Sequence, residues 1–251
     1  MSCIFCKREE TLPSLEHIVP ESMGNKNYVL PKGHICKSCN NLFSKFEKEV
    51  LSSTIIGFER ARFATSTKKG KSSFSKVGSV KMEGTEKENI ITISGVNKED
   101  IRTVDTNTKT FQIFVPGFQG NEMPTAKFLL KVGYQSMYKS KRRIFQKYNY
   151  SDLIDYMMNR SNIDWPFVTI QKEINKFYSV PSFTDKYQLN KCHCSLLFNQ
   201  LNDQTLLFRF VYGGFKATIN LLNRNIEWLK EYKSDDNNQI SIYPTHVKKN
   251  L

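Results

Sequence analysis

With 251 residues, 39% of them hydrophobic and 12% aromatic, the chain can bury a substantial core, which excludes a disordered tail and allows one large domain or two smaller ones. It carries 37 basic against 24 acidic residues, a net charge of +13, and such an excess favours a polyanionic partner. No run of about 18 apolar residues occurs and the first residues lack the apolar centre of a secretory signal, so no membrane role and a cytoplasmic location are expected.

In chain order, residues 1–12 read as a tight turn holding Cys3 and Cys6, followed by a polar stretch. Ser14 to Val19 reads as a short strand, with Leu15, His17 and Val19 alternating against Glu16 and Ile18. Pro20 and Gly24 end it, and Asn25-Lys26-Asn27 is a loop. Tyr28–Leu30 and His34-Ile35 form the expected returning strand, interrupted by Pro31-Lys32-Gly33. From Asn40, the spacing of Leu42, Phe43, Phe46, Val50 and Leu51 predicts a helix with one apolar face. Residues 65–73, polar and basic, are expected to link a domain over 1–64 to another over 74–251.

Beyond that linker, 74–82, 89–94 and 110–115 read as strands and 116–124 as a loop. Thr125 is placed to cap a helix over 126–145, with apolar spacing at Phe128, Leu129, Val132 and Met137. A shorter helix is expected from Ser151 to Met158. The C-terminal part returns to strands at 192–198, 205–212 and 215–221. Turn signals at Asn202-Asp203 and Gly213-Gly214 make these a meander. The fold class is therefore α+β: a small strand–strand–helix unit, then an α+β domain with antiparallel strands.

The chemistry concentrates at the N-terminus. Cys3/Cys6 and Cys36/Cys39 are two Cys-x-x-Cys pairs, and thiolates at i and i+3 on two turns can close a tetrahedron around zinc. In a chain read as intracellular, paired knuckles suit a metal better than disulfides. A segment this small needs such a staple, because alone it buries too little surface to fold. Between the pairs lies Glu16-His17, and directly after the second lies Asn40-Asn41. Cysteines alone would fit a plain zinc ribbon equally well. Cys192-His193-Cys194 lacks a second knuckle and reads as strand residues.

The strings Cys3-Ile4-Phe5-Cys6, Glu16-His17-Ile18-Val19-Pro20 and Cys36-Lys37-Ser38-Cys39-Asn40-Asn41, with Glu47 on the following helix, resemble the zinc-stapled form of the HNH, or ββα-metal, endonuclease family. The resemblance covers residues 3–47. It implies that Cys3, Cys6, Cys36 and Cys39 hold a structural Zn²⁺ and that His17 is the general base. It further implies that Glu16 and an asparagine hold a catalytic Mg²⁺ or Mn²⁺, with 5′-phosphate products. Asn40 fits the cysteine-Asn form of the motif and Asn41 is the second choice. Glu47, two helical turns beyond Asn40, is a further candidate ligand. The sequence departs from the family's commonest form in having Glu before His17. Its middle asparagine, which braces the loop behind the base, is matched by Asn25 or Asn27 on position alone. His34 reads as a strand-surface residue.

Residues 1–50 carry a net charge of only +1, so the remaining 201 supply +12. Lys127 to Lys147 holds seven cations and no acid, interleaved with Tyr134, Tyr138 and Tyr148. Lys139, Lys141, Arg142 and Arg143 there, and Lys68, Lys69 and Lys71 in the linker, are the expected contacts to DNA phosphates. Together these readings predict a metal-dependent endonuclease of double-stranded DNA, of the kind used in restriction or phage defence. A palindromic cut would call for a homodimer. The alternatives are an inactive zinc-stapled nucleic-acid-binding protein and an RNA-cleaving nuclease.

Overall fold

The computed structural model describes residues 2–9, 15–67, 70–170, 177–180, 192–232 and 240–250. The chain forms two compact units, one made of 1–47 with 122–251 and the other of 48–121. This division falls inside a helix after Glu47, whereas the sequence suggested boundaries at the 65–73 linker. Within that stretch, Ser66 and Ser72 form an antiparallel bridge.

In the first unit, β1 (Glu16–His17) pairs antiparallel with β2 (Val29–Leu30), Glu16 opposite Leu30 and His17 opposite Val29. α1 (Lys37–Ser53) follows, so the expected strand, strand and helix are all present. The helix starts three residues before Asn40 because the second cysteine knuckle is itself its first turn, with Asn40 N–H donating to the Cys36 carbonyl at 3.0 Å. Neither Asn40 nor Asn41 is therefore an N-cap. The facing of β1 is opposite to the expectation: Leu15 is 47% exposed, whereas Glu16 is 4% exposed. An inward carboxylate at that position requires a buried positive partner.

The second unit packs α2 (Ile55–Arg62), capped by the Thr54 hydroxyl accepting from Ile56 N–H, against a three-stranded meander. Its strands are β3 (Phe74–Val77), β4 (Val80–Gly84) and β5 (Ile91–Ser94), paired in that order. The single strand expected over 74–82 is thus a hairpin turning at Gly78-Ser79. Phe58, Val77 and Val80 form its small core. β6 (Ile101–Asp105) and β7 (Thr110–Ile113) make a separate, largely exposed hairpin.

α3 (Glu122–Ser140) returns the chain to the first unit, starting earlier than the Thr125 cap site implied. α4 (Arg142–Phe145) and α5 (Ser151–Met157) follow it. A six-stranded sheet comes next, made of β8 (Phe167–Ile170), β9 (Tyr178–Val180), β10 (Cys194–Asn202), β11 (Thr205–Tyr212), β12 (Phe215–Asn220) and β13 (Ile240–Tyr243). Its order is β13-β8-β12-β11-β10-β9, every pair antiparallel. The expected meander is its centre; β8, β9 and β13 are three or four residues long and too short for a periodicity to reveal. Among the described residues, no helix is long and apolar enough to cross a membrane.

α3 is buried from Pro124 to Met137 on all sides, as expected of a helix between two layers. One face meets the sheet, where Phe128 stands edge-on to Phe210 with ring centres 5.3 Å apart. Gly133 permits that approach, since a Cβ there would lie 2.8 Å from Leu221 and 2.8 Å from the Phe208 ring. The opposite face carries the N-terminal module: Tyr134 packs on Phe5 at 4.8 Å and donates to the Ile4 carbonyl, while Ser140 bonds the Tyr28 hydroxyl. Gly133→Val is expected to lower stability by about 1–3 kcal/mol through overpacking, read as a fall in the thermal or denaturant unfolding midpoint.

Candidate metal and catalytic site

The four cysteines converge. One sulfur from each of Cys3, Cys6, Cys36 and Cys39 lies within 4.8 Å of the others, and among the described residues this is the one such cluster. Zinc–thiolate bonds of about 2.3 Å set tetrahedral sulfurs under 4 Å apart, so the donor set and its compactness suit zinc. Backbone bonds preform it. Cys3 N–H donates to the Arg8 carbonyl, Lys7 N–H to Cys3, and Ile4 N–H to the His34 carbonyl, which ties the first knuckle to the approach of the second. Lys7 adopts φ +62°, the left-handed turn the first knuckle needs. A hydrogen bond from Cys39 lowers the Cys3 thiol to about 4, and the same contact pushes Cys39 up.

Asn25 braces the turn between the strands. Fully buried, its amide Nδ2 donates to the carbonyls of Val19 at 2.6 Å and Tyr28 at 3.0 Å, and its Oδ1 accepts from Tyr28 N–H at 2.9 Å. Three bonds to backbone from one side chain decide between the two asparagines, since Asn27 is exposed. The Asn25 carbonyl in turn stands 3.3 Å from His17 Nδ1. A carbonyl can only accept, so Nδ1 carries the proton and the neutral ring keeps its lone pair on Nε2. His17 is half-buried.

Glu16 lies on the other side of β1, and its partner comes from α3. Lys131 Nζ is 2.5 Å from Glu16 Oε1 and 2.5 Å from Glu47 Oε1, and it donates to the carbonyls of His17 at 2.9 Å and Ile18 at 3.4 Å. The lysine is completely buried. Burial works against its charge, but the Glu16 and Glu47 carboxylates outweigh that and hold its pKa above the ordinary lysine value. Gln135 Nε2 also reaches Glu16 Oε1, at 3.4 Å, while its own Oε1 is buried with no hydrogen-bond partner among the described residues. Both contacts are seen at Oε1, and Oε2 is the Glu16 oxygen that could take an ion. Asn40 stands two turns before Glu47 on the same face of α1, half-exposed, and helix side chains such as Glu47 lean back towards that end. A carboxylate oxygen and an amide oxygen are the hard donors a Mg²⁺ or Mn²⁺ takes.

The remaining expected residues are more dispersed. Asn41 is exposed and its carbonyl accepts from Ser44. His34 bonds the Tyr138 hydroxyl at 2.8 Å, and burial together with nearby Arg142 lowers its pKa. Lys139 lies over the Tyr28 ring and donates at 3.1 Å to the carbonyl of Val29, the residue that pairs with His17. Arg142 covers the Tyr138 ring at 4.1 Å; Lys141, Arg143 and Lys71 are exposed. Lys68 and Lys69 lie outside the described residues. The cation-rich stretch is not a uniformly solvated face: Lys127 is buried on Asn159 and Lys131 is buried in the site. Sequence reading missed Lys131 and Gln135, although a lysine within Phe-Leu-Leu-Lys-Val is the signal of a buried ion pair. Cys192 and Cys194 are buried beside Gly24 and the sheet, away from the four-cysteine cluster.

Residues 3–54 match the family model of the HNH endonuclease, a segment that takes in both knuckles, both strands and α1. No curated protein and no solved structure matches the chain.

Purified protein is expected to carry one zinc per chain, and Cys39→Ser to lose it, with a matching fall in melting temperature; metal analysis by mass spectrometry checks both. Asn25→Ala leaves the Tyr28 N–H and Val19 carbonyl without their partner. It is expected to cost about 1–3 kcal/mol for each group so stranded, measured by denaturant unfolding of the zinc-loaded protein.

Proposed function

We infer, from an N-terminal segment that belongs to the HNH endonuclease family, that the protein hydrolyses phosphodiester bonds of double-stranded DNA. The observation that carries this reading is the His17 ring, held by the Asn25 carbonyl with Nε2 as its acceptor. Nε2 takes the proton of a water as that water attacks the scissile phosphorus. Glu16 Oε2 and Asn40 are the residues to hold a divalent ion there, with Asn41 second and Glu47 as a further ligand. When bound, the ion neutralises charge on the phosphate and on the departing 3′ oxygen. The side chains must then hold that geometry while the backbone of DNA is gripped elsewhere, a task for Lys139, Lys141, Arg142 and Arg143, with the 65–73 lysines as further contacts. The strong positive charge and the family together favour nucleic acid; the duplex form, and a setting in restriction or phage defence, are our reading from the resemblance. Cutting both strands needs two such sites, hence a homodimer.

A second reading takes its support from Lys131, which engages both Glu16 and Glu47: a zinc-stapled protein that binds nucleic acid without cutting it. Supercoiled plasmid incubated with Mg²⁺ or Mn²⁺ separates the two. Nicked and linear products are expected from the wild type and a loss of at least a hundredfold in rate from His17→Ala. Equal cutting by both proteins sinks the catalytic assignment. Salt-sensitive DNA binding with no cutting under either ion supports the second reading, and cutting of RNA alone redirects the substrate.

A further inference from the structure

Among the described residues, two side chains grip Glu16, and each is seen at the same oxygen. The Lys131 ammonium and the Gln135 amide both come from α3, and both meet Oε1. The same ammonium reaches Glu47 on α1 and the carbonyl of His17 itself, so one nitrogen touches the strand at the base, the carboxylate beside it and the helix that bears Asn40. Two carboxylate oxygens each 2.5 Å from that nitrogen stand no farther apart than twice that distance. Without the cation between them, two negative charges at this separation, one buried and one partly exposed, would repel.

We propose that Lys131, which lies outside the matched segment, is a positioning residue of the nuclease site: it pins Glu16 through Oε1, turns Oε2 to the divalent ion, and tempers the ion's affinity by keeping a positive charge beside the carboxylates. The proposal rests on the nuclease reading above. A counter-ion serving stability alone has no reason to bond the carbonyl of the residue carrying the base. The charge arithmetic also has a consequence. Glu16, Glu47 and Lys131 sum to −1, so removing the ammonium leaves −2 and draws a divalent ion towards the vacated position between the carboxylates. Tighter binding of the ion would then go with slower turnover, because an ion drawn between Glu16 and Glu47 would be displaced from the position that Glu16 and Asn40 would share. Loss of mere packing moves neither quantity in that sense.

The test uses zinc-loaded full-length protein as wild type, Lys131→Met, Glu47→Gln and the double variant. Free Mn²⁺ is titrated by electron paramagnetic resonance, and plasmid cleavage is measured at saturating Mn²⁺. Lys131→Met is expected to bind Mn²⁺ about tenfold more tightly or better than wild type, with kcat at least tenfold lower. Where the single variant fails to fold, the double variant, which keeps a net −1, is compared with Glu47→Gln: again Mn²⁺ binds at least tenfold more tightly and kcat is at least tenfold lower. Unchanged Mn²⁺ affinity and unchanged kcat between the members of either pair overturn the positioning role and leave a structural counter-ion. If the wild type cuts nothing, the nuclease reading falls by itself. The Lys131 proposal is then decided by Mn²⁺ binding alone, where absence of the tightening overturns it.

Discussion

A lysine with no exposed surface can stay charged only if carboxylates face it, and this constraint organises the first unit. Lys131 is such a lysine, and its partners Glu16 and Glu47 come from β1 and from α1. Three elements separated widely in sequence are thereby held at one point. The interaction is a demanding one. A buried pair contributes modestly when intact, yet breaking it by removing one partner costs about 3–5 kcal/mol, because a charge is left without compensation. The carbonyls of His17 and Ile18 complete the ammonium's surroundings, so the backbone of β1 is fixed by the same contact that fixes its side chain.

From that point outward, α3 acts as the floor of the N-terminal module. Tyr134 fills the space beneath Phe5, which stacks edge-on with Phe43 of α1, so the first zinc knuckle rests on an aromatic layer. Lys139 and Ser140 hold β2 through Val29 and Tyr28, and Tyr138 holds His34 just before the second knuckle. The positions used, 131, 134, 135, 138 and 139, follow the three-and-four spacing of one helical face. A cysteine cluster suited to zinc staples the module to itself, and α3 staples it to the sheet. A 45-residue segment that buries little by itself gains its core in this way.

How much of this the sequence disclosed follows from the range of each interaction. The converging cysteine knuckles, the two short strands with a helix after them, and the β10–β12 meander are local patterns, and each is present in the fold. Alternation sets Leu15, His17 and Val19 on one face of the strand against Glu16 and Ile18, yet Leu15 is exposed while Glu16, Ile18 and Val19 are buried. The alternation fails here because the buried counter-charge lies far along the chain, and a period of two carries no information about a partner on another helix. Asn25 and Asn27 were equivalent by position and became distinct only when the turn closed and gave one of them three backbone partners. The cations between Lys127 and Lys147 look alike in a string, yet two are buried and the last few are exposed, a difference set by helix face and by where α3 ends.

That difference bears on how binding and chemistry are joined. The module with the knuckles and His17 has almost no net charge, so a polyanion must be held largely by the rest of the chain. α3 carries the buried Lys131 at one level and Lys139 two turns later, and α4 begins at once with Arg142 and Arg143. Lys139 is anchored on the carbonyl of Val29, which pairs with His17, and Arg142 lies on Tyr138, which bonds His34. The exposed cations are thus set by the same rigid helix that sets the buried one. In the reading proposed here, a phosphate gripped at the end of α3 stands at a distance from His17 fixed by packing rather than by a flexible loop. Positioning of that kind supplies much of the barrier reduction in phosphodiester hydrolysis, where holding water and phosphorus in line is the larger part of the task.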